Sequence, residues 1–165
     1  MAKAAIMAQC STETGGFRAL KEIGKESYFL QYDVGGSNPT RARQYGNTSP
    51  GDGSKYRGRG FNGITGRANY KTYTDMLRKA GSSIDLIANP EILEKSPDAS
   101  AEVNALYFLR GLSDPTIKRK YGNSGPNDFK DFGTALKAVV NTNAGPGTNI
   151  SSGFAKVSYD AAVAA

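Results

Sequence analysis

The stretch Gln9-Cys10-Ser11-Thr12-Glu13-Thr14-Gly15-Gly16-Phe17-Arg18-Ala19-Leu20-Lys21-Glu22 places two carboxylates nine residues apart, on either side of a glycine pair. In one continuous helix, with about 100° of rotation per residue, Glu13 and Glu22 would lie on opposite faces. Gly15-Gly16 is a strong helix stop, because glycine readily adopts the left-handed backbone that ends helices. The sequence therefore predicts a helix that begins near Ala2 and ends beside Glu13, followed by a turn that returns Glu22 across a cleft.

The helix before the glycine pair bears on the chemistry of Glu13. Ile6, Cys10 and Glu13 follow i, i+4, i+7 spacing, which extends an apolar stripe to the carboxylate and predicts its partial desolvation. The negative end of the helix dipole also disfavours a charged carboxylate in the last turn, so both effects favour the protonated carboxyl that a general acid needs. Glu22 lies in a more polar run and is expected to stay ionised and to activate a water. The alternative is that both are ordinary surface carboxylates.

The composition of the chain limits its chemistry. The 165 residues, 38% of them hydrophobic, suffice for one domain with a modest core. A formal charge of +6 without any histidine excludes His-based catalysis and His-ligated metal sites, and we expect neither metal nor cofactor. Carboxylates are then the natural acid and base. The single Cys10 cannot form an internal disulfide and is expected to be a buried small hydrophobe.

Local patterns predict four further elements. They are a strand at Tyr28–Tyr32, a helix from an N-cap at Thr65 to Lys79, a helix from Ser96-Pro97-Asp98 to Gly111, and a helix over about residues 127–141. The second of these has one apolar face and a glycine stop, formed by Tyr70, Tyr73, Leu77, Ala80 and Gly81.

The segment from Thr40 to Gly60 mixes arginines, lysines and tyrosines with glycines. In a sugar-binding interpretation, Tyr56 supplies a stacking face and Arg59 holds substrate hydroxyls or carboxylates. In a nucleic-acid-binding interpretation, the same residues form a basic, aromatic, phosphate-binding loop. Composition alone slightly favours nucleic acid, whereas the paired acids favour a sugar.

Two motifs resemble a known family. The first is Ala-Gln-x-x-x-Glu-Thr-Gly-Gly-Phe around Glu13, and the second is Tyr56-Arg57-Gly58-Arg59-Gly60-Phe61-Asn62-Gly63-Ile64-Thr65-Gly66-Arg67-Ala68-Asn69-Tyr70. Together they resemble glycoside hydrolase family 19, which contains chitinases and phage or bacterial lysozyme-like endolysins. Residues 41–53 and Asn89-Pro90-Glu91 look like the endolysin branch, and the resemblance runs over about residues 4–141.

The resemblance implies a role for individual residues. By it, Glu13 is the general acid, Glu22 is the general base, and Thr65 holds the attacking water. Asn69 and Asn141 match asparagines of the family and are expected to bind substrate, so the implied partner is a polysaccharide rather than nucleic acid. The implied fold is a mainly α, lysozyme-like α+β single domain over residues 1–143, with a small β element beside the active-site cleft. Residues 144–165 are an unassigned tail.

The function that the resemblance implies is hydrolysis of β-1,4 bonds in peptidoglycan by an inverting two-carboxylate mechanism. The chain would be an endolysin or a virion-associated lysozyme, with other virion proteins as further partners. It shows no charged-then-apolar leader and no run of about 18 apolar residues, which predicts neither a signal peptide nor a membrane span. It is then expected in the host cytoplasm, reaching the cell wall at lysis, or in the tail or baseplate of a phage virion.

Two alternatives stay open beside the peptidoglycan hydrolase. A chitinase is the alternative among enzymes. Thr12 stands where the family has His, Gly63 where it has Gln, and Ala138 where it has Asn. These differences remove sugar contacts, and they keep open a structural or adhesin module that retains the lysozyme-like fold with weakened catalysis.

Overall fold

The computed structural model describes residues 2–121, Thr134 and Ala138, and this part is mainly helical, as predicted. Its helices, with a 3₁₀ turn at Leu30–Tyr32 after the second, are α1 (Ala2–Glu13), α2 (Glu26–Phe29), α3 (Pro39–Tyr45), α4 (Asp52–Lys55), α5 (Arg67–Lys79), α6 (Ile92–Lys95), α7 (Pro97–Leu112) and α8 (Pro115–Tyr121). Within the described part, no helix is both long and apolar enough to span a bilayer.

The chain divides into two compact units. One comprises Met1–Arg18 with Tyr107–Ala165, and the other comprises Ala19–Leu106. Of the helix predicted over residues 127–141, only Thr134 and Ala138 are described, and both are helical. The predicted boundary at residue 143 and the tail after it lie outside the described residues.

In the first unit, α1 ends at Glu13, shortly before the glycine pair, as predicted. Gly15 and Gly16 have φ angles of 58° and 76°, a left-handed backbone that no helix continues. The Gly16 amide donates to the Ser11 carbonyl at 2.7 Å, which satisfies an acceptor at the end of the helix. Cys10 is fully buried on α1, as predicted.

In the second unit, α5 supplies the apolar face that its 3.6-residue period predicted. Tyr70, Tyr73 and Leu77 are buried, whereas Ala80 is exposed. The helix stops because Gly81 takes a φ of 86° and the Ser82 amide donates to the Leu77 carbonyl at 2.9 Å. The buried apolar side chains of this unit also include Phe29, Tyr32, Ala42, Tyr56, Ile64, Leu86, Leu93, Ala99 and Val103.

The strand predicted at Tyr28–Tyr32 is wrong, because the segment is helical. Phe29 and Tyr32 are its buried residues, and their i, i+3 spacing is that of a helix face rather than of a strand. The hydroxyls of Tyr28 and Tyr32 are 2.9 Å apart, which links the side chains across one helical turn. Tertiary burial has therefore overridden the local β propensity.

A small β element adjoins Glu22. Isolated antiparallel bridges join Lys21 to Arg59 and Arg59 to Ile64. The Glu22 amide donates to the Gly58 carbonyl at 2.8 Å, and the Ile64 amide donates to the Arg59 carbonyl at 2.8 Å. These bonds place the segment of Glu22 beside the glycine-arginine-glycine motif.

The loop before α4 is held to the start of α5 by a buried carboxylate. Asp52 accepts hydrogen bonds from the amides of Thr48 at 2.8 Å and Ser49 at 2.9 Å. Arg67 forms a bidentate pair with it, Nε to Oδ2 at 2.8 Å and Nη2 to Oδ1 at 2.7 Å. Burial alone would raise the pKa of Asp52, but the hydrogen bonds from Arg67 and the two amides outweigh it and lower that pKa. The pair fixes the first turn of α5, which begins two residues after Thr65.

Candidate active site

Glu13, the predicted general acid, is the last residue of α1. Gln9 Nε2 donates to its Oε1 at 2.7 Å, one helical turn away. The predicted desolvation of Glu13 is wrong, because its side chain is exposed. The buried face of α1 runs through Ala5, Ala8 and Gln9, and the two glycines after the helix carry no side chain that could cover the carboxylate.

Thr14 organises the turn after Glu13. Its buried hydroxyl donates to the Cys10 carbonyl at 2.7 Å and accepts from the Phe17 amide at 2.8 Å. Phe17 has a φ of 64°, an unusual conformation for a residue with a side chain, and such strain is frequent at functional sites. Sequence reasoning missed this role of Thr14, although its position between Glu13 and two glycines was a usable signal.

Glu22, the predicted general base, is held by the backbone of Gly58. Its Oε2 accepts from the Gly58 amide at 3.1 Å, while its own amide donates to the Gly58 carbonyl. The side chain is partly exposed. Main chain and carboxylate are therefore both fixed by one residue of the glycine-arginine-glycine motif.

Thr65 is not the N-cap of α5, contrary to the prediction. The N-cap is Gly66, with a φ of 87°, and Thr65 Oγ1 instead donates to the Gly63 carbonyl at 2.7 Å. A Cβ added to Gly58 would lie 3.2 Å from Thr65 Oγ1 and 3.2 Å from Glu22 Oε2. The hydroxyl and the carboxylate therefore both border the space that a side chain at residue 58 would occupy.

Asn69, a predicted substrate ligand, adjoins this pair. It is exposed on the first turn of α5, and its Nδ2 donates to the Thr65 carbonyl at 2.8 Å. The structure therefore brings together Glu22, Thr65 and Asn69 in the second unit. Asn141, the other predicted asparagine, lies outside the described residues.

Tyr56 and Arg59, the remaining predicted substrate ligands, are buried, with 1% and 4% of their surface exposed. The Tyr56 ring packs on Tyr70 with 5.2 Å between centroids, and its hydroxyl donates to the Ile87 carbonyl at 3.3 Å. Arg59 Nη1 donates to the Lys55 carbonyl at 2.7 Å. Burial argues against direct sugar contact, and both side chains instead support the loop that carries Gly58.

An open pocket of about 390 Å³ lies next to Glu22. Sequence reasoning did not assign its other residues, of which Ile23 is 88% exposed and Tyr28 46% exposed. Within residues 2–121, Thr134 and Ala138, no cluster of three or more His, Cys, Asp or Glu side chains could hold a metal ion.

The chain is similar in sequence to one curated protein and similar in fold to two solved structures. No protein-family model matches the chain. A glycosyl hydrolase family 19 domain-containing protein of Haemophilus influenzae is 30% identical over a region that covers 58% of this chain and 58% of the relative. Chitinase C from Streptomyces griseus HUT6037 superposes with a TM-score of 0.56 and 20% identity, covering 98% of this chain and 66% of that chain.

A mutant of chitinase C gives a TM-score of 0.50 with 22% identity, over 95% of this chain and 59% of that chain. At these identities the structural likeness shows a shared fold, and it confirms the predicted lysozyme-like architecture. The chain spans 58% of the length of the Haemophilus relative. The chain is therefore similar in sequence to a glycosyl hydrolase family 19 domain-containing protein and similar in fold to chitinase C.

Proposed function

We propose that the chain is a glycoside hydrolase that cleaves β-1,4 bonds between amino sugars of peptidoglycan with inversion of configuration. The observation that carries the proposal is that Glu22 Oε2 and Thr65 Oγ1 both lie 3.2 Å from the position that a Cβ of residue 58 would occupy. In a relative of family 19, this arrangement is what a water-activating base and its partner hydroxyl require.

The hydrogen bonds at Thr65 set the orientation of the attacking water. Because its O–H donates to the Gly63 carbonyl, the Thr65 oxygen is left to act toward a water as an acceptor. The water then donates one hydrogen to Thr65 Oγ1 and the other to Glu22, and its lone pair faces the anomeric carbon. Glu22 takes the proton as the new C–O bond forms.

Glu13 supplies the proton that the leaving oxygen needs. As the glycosidic C–O bond breaks, the Glu13 carboxyl gives its proton to that oxygen and becomes a carboxylate. The bond from Gln9 to Oε1 orients the carboxyl for this transfer. Proton exchange with solvent then restores Glu13 to its acid form and Glu22 to its base form.

This mechanism makes a geometric prediction for the complex with substrate. Inverting enzymes hold their two carboxylates roughly 6.5–9.5 Å apart to admit a water, whereas about 5 Å marks a retaining enzyme. A crystal structure of the Glu13→Gln variant with a bound oligosaccharide measures this distance directly.

Two features of the sequence favour peptidoglycan over chitin as the proposed substrate. Residues 41–53 and Asn89-Pro90-Glu91 resemble the endolysin branch of the family, and the formal charge of +6 suits the anionic polymers of a bacterial envelope. We accordingly propose a phage lytic role, with access to the wall at host lysis or from within a virion.

The test is to incubate the chain with peptidoglycan and with chitin and to identify the released ends by mass spectrometry. Reducing ends from peptidoglycan, lost in Glu13→Gln and Glu22→Gln, are the expected result, and the α-anomer as first product by NMR would verify inversion. Reducing ends from chitin alone indicate a chitinase. Anhydro ends indicate a lytic transglycosylase that needs only Glu13.

A sugar-binding structural module is the second candidate, because Thr12 and Gly63 replace the family's His and Gln. Gly63 has a φ of 57° and would place a side chain in open space, with nothing within 4 Å of its added Cβ. Binding to peptidoglycan without release of any ends would establish this alternative.

A further inference from the structure

We propose that the pocket beside Glu22 is a binding subsite for a carboxylate-bearing amino sugar, such as a muramyl residue. The pocket, called here the Tyr28 pocket, is lined by Glu22, Ile23, Gly24, Lys25, Ser27 and Tyr28. Its volume of about 390 Å³ falls within the range of small-molecule sites. The inference rests on the proposed glycosidase function and adds the position and the chemistry of a substrate contact.

Tyr28 offers an aromatic face that is exposed yet fixed. Its hydroxyl is 2.9 Å from that of Tyr32, and its ring makes edge contacts with Phe29 and Tyr32, with centroids 5.2 Å and 5.7 Å apart. Tyr32 is itself buried, and its hydrogen bond with Tyr28 together with burial raises the pKa of Tyr32 to about 12. A ring held in place loses little entropy when a ligand packs on it.

The segment opposite the ring is shaped to lie close to it. A Cβ added to Gly24 would be 3.0 Å from Phe29 Cζ and 3.3 Å from Tyr28 Cδ1, so only glycine permits this approach without displacement. Ile23 next to it is 88% exposed, which gains nothing for folding. An aromatic face beside an exposed aliphatic side chain suits the C–H face of a sugar ring.

Lys25 gives the pocket a preference for charge. Among the described residues, no carboxylate forms an ion pair with Lys25. By contrast, Lys21 Nζ lies 3.4 Å from Glu94 Oε2, and Lys71 Nζ lies 2.7 Å from Asp75 Oδ2. A cation in a pocket wall without an internal partner fits an anionic ligand. A muramyl residue carries such a carboxylate on its lactyl group or its stem peptide, and the sugars of chitin carry none. Since Glu22 is the opposing charge in the pocket, the ligand carboxylate must face Lys25.

Binding of three soluble ligands to the full chain tests the inference without any need for turnover. They are the disaccharide of N-acetylglucosamine and N-acetylmuramic acid, the same disaccharide bearing a dipeptide, and chitobiose, each titrated by NMR. We expect Lys25→Met to weaken both muramyl ligands about three- to tenfold and to leave chitobiose unchanged. Comparing the affinities of the two muramyl ligands shows whether Lys25 binds the lactyl carboxylate or the peptide carboxylate.

Matched variants separate local from general effects. Lys95→Met removes the same charge from an exposed site outside the pocket, and Leu30→Ala removes an exposed apolar side chain outside it. Tyr28→Ala is expected to weaken all three ligands, and Tyr28→Phe, which keeps the ring, to restore most of the affinity. Unchanged binding in Lys25→Met, or loss equal to that in Lys95→Met, overturns the inference.

The outcome is independent of the proposed reaction. Muramyl binding that depends on Lys25 and Tyr28, with no ends released from any substrate, upholds the subsite and refutes the hydrolase. Hydrolysis of peptidoglycan with binding indifferent to both substitutions upholds the hydrolase and refutes the subsite.

Discussion

Glu22 Oε2 and Thr65 Oγ1 each lie 3.2 Å from the point where Gly58 would carry a Cβ. The carboxylate is fixed there by the Gly58 amide and the hydroxyl by the Gly63 carbonyl, so neither depends on the other for its position. A glycine at residue 58 is therefore a requirement of the site and not of the backbone, because Gly58 does not adopt a positive φ. This separates the effect of a side chain on catalysis from its effect on folding.

Gly58→Ala is expected to lower kcat on peptidoglycan by about 100-fold, because the new methyl group displaces both the base and the water-holding hydroxyl. The free energy of unfolding should fall by only about 1–2 kcal/mol, the usual cost of modest overpacking. The release of reducing ends measures kcat, and urea unfolding measures the free energy of unfolding. Full activity in Gly58→Ala would contradict the proposed water position.

Thr65 provides a second test, through a shape-matched pair of variants. Thr65→Val keeps the volume and loses the hydroxyl, and we expect kcat to fall by about 10- to 100-fold with KM little changed, since the water alone loses a partner. Thr65→Ser keeps the hydroxyl and should retain most of the activity. Equal rates for the valine and serine variants would show that the hydroxyl holds no catalytic water.

Elements set by local pattern were predicted well. The helical spacing of Tyr70, Tyr73 and Leu77, with Gly81 after them, correctly predicted α5, and Pro97 correctly predicted the start of α7. Both predictions succeed because the apolar period and the boundary residues of a helix lie within one short segment of sequence. The glycine pair after Glu13 ended α1 for the same reason.

Burial outside the periodic helices was predicted less well, because it depends on residues distant in sequence. Arg59 is a surface residue by composition, yet the Lys55 carbonyl and the Tyr70 hydroxyl accept its hydrogen bonds, the latter at 3.3 Å, inside the unit. For Tyr28 the difference runs the other way: local β propensity predicts a strand, whereas the residue lies in α2 and its ring is exposed to solvent.

The turn that follows Glu13 depends on backbone freedom and not on space. An added Cβ on Gly15 or Gly16 meets nothing within 4 Å, but both residues have positive φ. We therefore expect Gly15→Ala and Gly16→Ala each to cost about 1 kcal/mol of unfolding free energy and to lower activity by moving Glu13. Gly15→Asn should cost less, because asparagine tolerates the left-handed region. Chemical unfolding of the three variants gives the order, and an alanine variant as stable as the parent would show that the left-handed turn is not required.

The bidentate pair of Asp52 and Arg67 should make stability depend on pH. Asp52 is 2% exposed, and its pKa lies below its ordinary value of 3.8, so its contribution is complete above that value and is lost as pH falls through the lower, folded-state pKa. Asp52→Asn should cost about 3 kcal/mol at pH 7, because it leaves Arg67 without its partner. Urea unfolding as a function of pH should show parent and variant converging below about pH 4.

Asp75→Asn is the matched control for that experiment. Asp75 pairs with Lys71 at 2.7 Å on the exposed face of α5. A hydrogen bond from that lysine lowers the pKa of Asp75, just as the pKa of Asp52 is lowered. Solvent screens this pair, so its loss should cost much less than the loss of the buried pair. A cost for Asp52→Asn no larger than that for Asp75→Asn would mean that the buried pair does not hold the loop to α5. In that case the position of Thr65, two residues before the helix begins, would have to be set by the small β element instead.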